Sequence, residues 1–280
     1  MLNQYRVNAG IKSFFIHLFL LSITVVCLFP LFWMLRCAFM SNATIFVDKA
    51  LIPAQLHPEN FYTAWTKGNF GMYFFNSVLY TACVVGGIVV IASLAAYSFS
   101  RLKFFGHQAV FFLFEAAMMI PLPGSFVPLF VMMNKLHLAN TRIGYILCMI
   151  NVGLSFSILL LKTFFDKLTP DLEDAARIDG CSKLGIWWHV ALPLARPALA
   201  VIVIFNSLHV WNEYILASLL FNSKHMMPLQ KGLMEFNGAV NINYPVLMAG
   251  LSMTVIPIIC VYLLMQKQFI KGLSSGAVVG

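Results

Sequence analysis

Long apolar runs separated by short polar breaks dominate the chain. A helix needs about 20 apolar residues to cross the hydrocarbon core of a bilayer. Six stretches reach that length, near 13–35, 74–99, 109–133, 143–163, 197–220 and 245–266. The pattern predicts an all-α integral membrane protein of six transmembrane helices, with residues 1–280 as one membrane domain. An even number of crossings puts both termini on the same side. With that side inward, eleven of the eighteen Lys and Arg residues fall inside and seven outside or at the outer edge. That excess has the sign of the positive-inside rule. The outer segment 40–72, broken by Pro53 and Pro58, is too polar to span, and Glu59–Lys67 predicts a short interfacial helix.

Three spans carry features beyond hydrophobicity. The second is rich in small residues (Gly86, Gly87, Ala92, Ser93, Ala95, Ala96), which allow helices to pack closely in lipid. The third holds Glu115, about 10 Å along the helix from its inner end, then Pro121, Pro123, Gly124 and Pro128. An ionisable side chain at that depth faces a bundle interior or water, so Glu115 either lines a translocation path or pairs with a neighbouring helix. The prolines must kink or unwind the backbone. Broken backbone is tolerated there only where protein or a watery cavity satisfies it. Pro121 therefore marks a gate or a bend that shapes packing. The fifth span carries Asn206, His209 and Trp211-Asn-Glu-Tyr214. Trp and Tyr stack on sugar rings, and Asn212 and Glu213 can bond hydroxyls; packing and gating against a partner is the competing reading, and Asn206 is a further candidate along a translocation path. His209 alone on an apolar helix is read as a packing residue.

Between the fourth and fifth spans lies the chain's one polar island, residues 164–197. Five of the ten acidic residues sit there: Asp166, Asp171, Glu173, Asp174 and Asp179. Thr169 and Pro170 suit a helix start, and the acids of the first turn complement the helix dipole. Glu173 and Arg177 stand in ion-pair register, while Leu172, Ala175 and Ala176 share a face. Gly180 ends the helix, Ser182 starts a second short one carrying Ile186, Trp187 and Val190, and Pro193 stops it. A solvated acidic cap is the plain reading. A DNA-binding helix-turn-helix would want Lys and Arg here.

Asp174-Ala-Ala-Arg-Ile-Asp-Gly180, followed by Leu192-Pro193 and Pro197, resembles the EAA loop of ABC importer permeases. Trp211-Asn-Glu-Tyr214 and the ending Gly272-Leu-Ser-Ser-Gly-Ala-Val-Val-Gly280 also match. The resemblance spans nearly the whole chain. It points to the carbohydrate-uptake permeases of the maltose type, specifically the subunit without a large extracellular insert. Asp174 stands in place of the usual Glu, and Val279 where Lys is common. The resemblance implies a type I ABC importer fold with the acidic loop cytosolic as a coupling helix. Glu173, Asp174, Ala175, Ala176, Asp179 and Gly180 would meet an ATPase. The tail 267–280, through Gly272, Ser275, Gly276 and Gly280, would contact the ATPase pair, shaped by that partner because it is too small and Gly/Ser-rich to fold alone. The implied partners are a second permease, two ATPase subunits that bind ATP and Mg, an extracellular solute-binding protein and membrane lipid. The implied location is a prokaryotic cell membrane, with both termini cytosolic and the cargo a sugar or oligosaccharide.

Composition agrees: 60% of residues are hydrophobic and 10% charged, with mean hydropathy +0.84, as in a membrane protein. The net charge of +8 reads as loops facing headgroups, not as a nucleic-acid surface. The six cysteines show no paired or metal-ligand spacing, and no metal site is expected. No phosphate-cradling Gly-x-x-x-x-Gly-Lys-Ser/Thr loop exists, so the chain is not itself the ATPase, and no catalytic residues are expected. Other readings are an importer of glycerol phosphates or polyamines, a carrier not driven by ATP, and a membrane scaffold.

Overall fold

The structure is a computed structural model. It describes the backbone of residues 2–67, 69–237 and 243–277, with side chains for 12–66, 69–121, 123–234 and 243–267. Every regular element among the described residues is helical. In chain order these are α1 (Leu2–Ala38), α2 (Glu59–Lys67), α3 (Phe70–Arg101), α4 (His107–Met118), α5 (Leu122–Lys135), α6 (Arg142–Asp166), α7 (Pro170–Ile178) and α8 (Lys183–Ile186). A π turn (Trp187–Ala191) and α9 (Leu192–Leu194) follow, then α10 (Arg196–Asn212), α11 (Ile215–Leu220), α12 (Leu229–Asn237) and α13 (Tyr244–Ala277).

Within α1, α3, α6 and α13 lie stretches long and apolar enough to cross a membrane. The total becomes six if two bent pairs each count as one span. One pair is α4 with α5, bent by 111° at the break before Pro123. This is the interruption expected from the proline cluster, since Pro removes a ladder donor and clashes with the preceding turn. The other joins Lys183–Leu194 to α10 with a 77° bend. The fifth segment is thus not the single run 197–220 that hydropathy suggests. Counted as one bent span it begins in the polar island, and its helix breaks at Glu213–Tyr214 before α11. The tail also differs from expectation, because α13 stays helical through Ala277 and so includes Gly272, Ser275 and Gly276. Gly280 lies outside the described residues.

The chain forms two compact units, one of residues 1–70 with 235–255 and one of 71–234 with 256–280. In the first, Ala38, Ala64, Val246 and Ala249 form a small apolar core. Arg36 is buried, yet its charge is met: it donates to Ala50 O (2.6 Å) and Asp48 O (3.0 Å) and stands over Trp33. A buried cation with such partners ties residues 48–50 to the end of α1.

In the second unit, α6 packs on α10 through small residues and one buried polar contact. Asn206 donates to Ser157 Oγ (3.1 Å) and Ile202 O (2.9 Å). A Cβ on Gly153 would stand 2.2 Å from Asn206 Oδ1, so only glycine permits this approach. Near the start of α3, Asn76 and Tyr80 donate to the carbonyls of His225, Met226 and Met227. Ser77 Oγ accepts from Leu229 N, and Asn140 Oδ1 from Asn222 N and Ser223 N. The loop 221–229 is therefore held at successive backbone groups.

Candidate functional site

The acidic half of the polar island folds as the sequence predicts. Pro193, however, does not stop the second helix, which runs on through the π turn to Leu194 because proline is tolerated at the start of the next helical turn. Pro170 opens α7, although Thr169 makes no side-chain cap. The helix closes in a Schellman arrangement: Gly180 N donates to Arg177 O (3.0 Å) and Cys181 N to Ala176 O (2.9 Å). That closure needs the left-handed backbone of Gly180, whose φ is 82°. Ser182 caps the next turn as expected, accepting from Gly185 N at 3.2 Å.

The helix has two unlike faces. Glu173 and Ala176 are buried. Arg101 Nε lies 2.7 Å from Glu173 Oε1, with its N–H not aligned for a hydrogen bond, so the contact is an ion pair. Tyr97 Oη donates to Glu173 Oε2 at 3.4 Å. Arg101 also donates to Phe165 O (2.8 Å) and Leu168 O (2.6 Å). Arg177 turns to Asp174 (2.8 Å) and only grazes Glu173 (4.0 Å). The outward face exposes Asp171, Leu172, Asp174, Ala175, Ile178 and Asp179, and Ile178 is 86% exposed. The expected common face of Leu172, Ala175 and Ala176 is therefore divided, with Ala176 inward and the other two outward. Beyond the turn Ile186 and Trp187 are buried, while Leu184 and Trp188 are exposed.

The residues expected along a pathway do not form one cluster. Asn212 and Glu213 line a cavity of about 350 Å³ together with Pro123, Phe126, His209 and Tyr214. The proline-broken segment thus meets the broken end of the fifth segment, and Pro121 caps the start of that segment. Glu213 accepts from Leu216 N, from Ala217 N (3.2 Å) and from Tyr145 Oη (3.0 Å). It supplies the N-terminal acceptors that α11 lacks. Asn212 donates to Leu208 O and accepts from Gln230 (3.4 Å). Trp211 is buried edge-on to Phe74 instead of facing the cavity. Asn206 sits apart, locked to Ser157. Glu115 is half-buried and makes no ion pair among the described residues, so the expected structural partner is not there. Tyr97, Arg101 and Tyr145 are site residues that sequence reasoning missed. Arg101 ends an apolar run and both tyrosines lie within such runs, so no local signal pairs them with a carboxylate.

Among the described residues no group of His, Cys, Asp and Glu could hold a metal ion. The arrangement offers an exposed acidic helix face and a small, mainly apolar cavity with His209, Asn212 and Glu213 on its wall.

The profile of a family described as binding-protein-dependent transport system inner membrane components matches residues 87–275. A probable ABC transporter permease protein of Bacillus subtilis (strain 168) is 36% identical, covering 97% of this chain and 89% of its own. The diacetylchitobiose uptake system permease of Streptomyces coelicolor is 31% identical, covering 93% and 87%. A chain in the crystal structure of a bacterial ABC transporter that imports alginate superposes with TM-score 0.81. It is 26% identical, with 92% of this chain and 96% of that chain covered.

Proposed function

This chain belongs to the family of binding-protein-dependent transport system inner membrane components, and from that premise we propose that α7 is the lever through which a partner ATPase moves it. It is a multi-pass permease subunit of an ABC importer, a transport component and not an enzyme. A second permease, a pair of ATPase subunits holding ATP and Mg, and an extracellular solute-binding protein complete the importer in this reading. The membrane is the prokaryotic cell membrane, with α7 and both termini cytosolic. The cargo is a sugar or oligosaccharide, as the names of the diacetylchitobiose and alginate systems suggest.

The observation that carries the reading is the division of α7 into a fastened face and a bare one. Glu173 and Ala176 are buried against the chain itself, while Asp174, Ala175 and Ile178 are left exposed beside a closed Schellman turn. An isolated nine-residue helix is marginal in water, so a projecting one that is braced from within can transmit force. Exposed carboxylates set register and partner choice through complementary charge. ATP binding closes the ATPase pair, α7 follows as a rigid body, and the bundle switches between inward- and outward-facing states. Glu173, Asp174, Ala175, Ala176, Asp179 and Gly180 form the coupling element. Gly272, Ser275, Gly276 and Gly280 extend the cytosolic contact at the tail. Asn212 and Glu213, by the cavity, lie on the pathway side, with Glu115, Pro121 and Asn206 as further pathway residues.

Purification of the importer in mild detergent tests the docking. The wild-type chain should retain its ATPase subunits, whereas Asp174→Lys should insert normally, lose them and abolish uptake. Retention of both the ATPase and uptake by Asp174→Lys would contradict the assignment.

A further inference from the structure

We propose that Arg101 is a positioning residue that yokes α7 to two membrane helices at once. This rests on the coupling reading above and assigns it a mechanical linkage. Arg101 is the last residue of α3. Its side chain reaches Glu173 of α7 at 2.7 Å, Phe165 O in the last turn of α6 at 2.8 Å, and Leu168 O in the linker between α6 and α7 at 2.6 Å. One planar guanidinium thus joins three elements, which its fixed fork of donors permits and a lysine's compact ammonium does not. The Phe165 carbonyl also accepts from Leu168 N at 3.1 Å, and it lies in the last turn of α6, where a cation is favoured.

Two further contacts run in parallel. Tyr97, one turn earlier on α3, donates to Glu173 Oε2 at 3.4 Å, and Ser100 donates to Asp166 Oδ1 at 2.6 Å. Glu173 is buried and Arg101 nearly so, with side-chain exposures of 8% and 15%. The pair is therefore not a loose surface contact of little consequence. Without it, a displacement of α7 would reach α6 through the linker residues 167–169 and packing, and α3 through packing and the long Tyr97 hydrogen bond. With it, α3, α6 and α7 move together.

The test uses the complete importer in liposomes, with the six native cysteines replaced by alanine and one cysteine placed at Asn212, by the cavity. The probe is the rate at which a maleimide labels that cysteine, with and without Mg and a non-hydrolysable ATP analogue. In the unmodified background the nucleotide should change the rate. Arg101→Gln should reduce that change at least fivefold while the ATPase subunits still co-purify. Arg101→Lys should restore part of it, and Tyr97→Phe should lower it about twofold. If Arg101→Gln does not insert, the Lys and Phe variants carry the test. A full response with Lys would show that positive charge alone suffices, and would overturn the yoke. So would an unaltered response with Gln. If the background itself gives no nucleotide response, the coupling reading falls and the yoke with it. A response in the background that persists in every variant removes the yoke alone.

Discussion

Two glutamates, buried Glu173 at the polar hairpin and half-buried Glu213 at the break of the fifth segment, solve the same problem differently. Each takes a carboxylate out of bulk water, which is costly unless its lone pairs are used. Glu173 is met by a cation, Arg101, and by a tyrosine hydroxyl. Glu213 is met by the N–H groups of Leu216 and Ala217 and by the hydroxyl of Tyr145. Charge pairing holds separate elements in a defined register at a water-facing end. Neutral donors instead repair a local defect, because α11 restarts there and its first N–H groups have no helical acceptor. One glutamate links elements far apart in sequence, and the other, apart from Tyr145, serves its own neighbours.

Four substitutions sharpen this contrast, from the largest effect to the smallest. Gly180→Pro should abolish uptake with insertion intact, since proline's φ near −65° cannot replace 82° and it has no N–H for Arg177 O. Normal uptake measured in cells would show that the hairpin's shape is irrelevant. Glu173→Gln keeps volume and removes charge, so uptake should fall about tenfold or more while the melting temperature of the purified complex changes little. The ratio of the two effects is the diagnostic. Glu213→Ala should do the reverse, leaving three donors without an acceptor and lowering stability by about 2–3 kcal/mol, visible as a drop of several degrees in detergent. Tyr145→Phe removes only one donor to Glu213 and should cost about 1 kcal/mol, with uptake within about twofold of wild type.

Much of the hairpin was legible because its signals are local. Pro170, the acidic first turn and Gly180 sit within eleven positions, and each has one dominant structural use. The spans were legible for the same reason, as apolar length is a one-dimensional property. What escaped depends on residues brought together by folding. Arg101 and Glu173 are far apart in sequence, so nothing along the chain pairs them. The division of Ala175 from Ala176 follows from where α7 lies against α3, not from its own periodicity. The break at Glu213 carries neither Gly nor Pro and was read as continuous helix. Only the return of its carboxylate to the N–H groups of Leu216 and Ala217 explains how the backbone tolerates it. The π turn at Trp187–Ala191, which buries Trp187 and exposes Trp188, was hidden likewise.

The central claim is that the bare face of α7 lies on an ATPase at the inner side of the membrane. A single cysteine at Ile178, the most exposed apolar position of that helix, tests it in otherwise cysteine-free importer expressed in cells. A short bifunctional maleimide applied to inside-out vesicles should join it to an ATPase subunit, and a membrane-impermeant maleimide added to intact cells should leave it unlabelled. Labelling from outside, or no cross-link to any nucleotide-binding subunit in the assembled complex, would contradict the account.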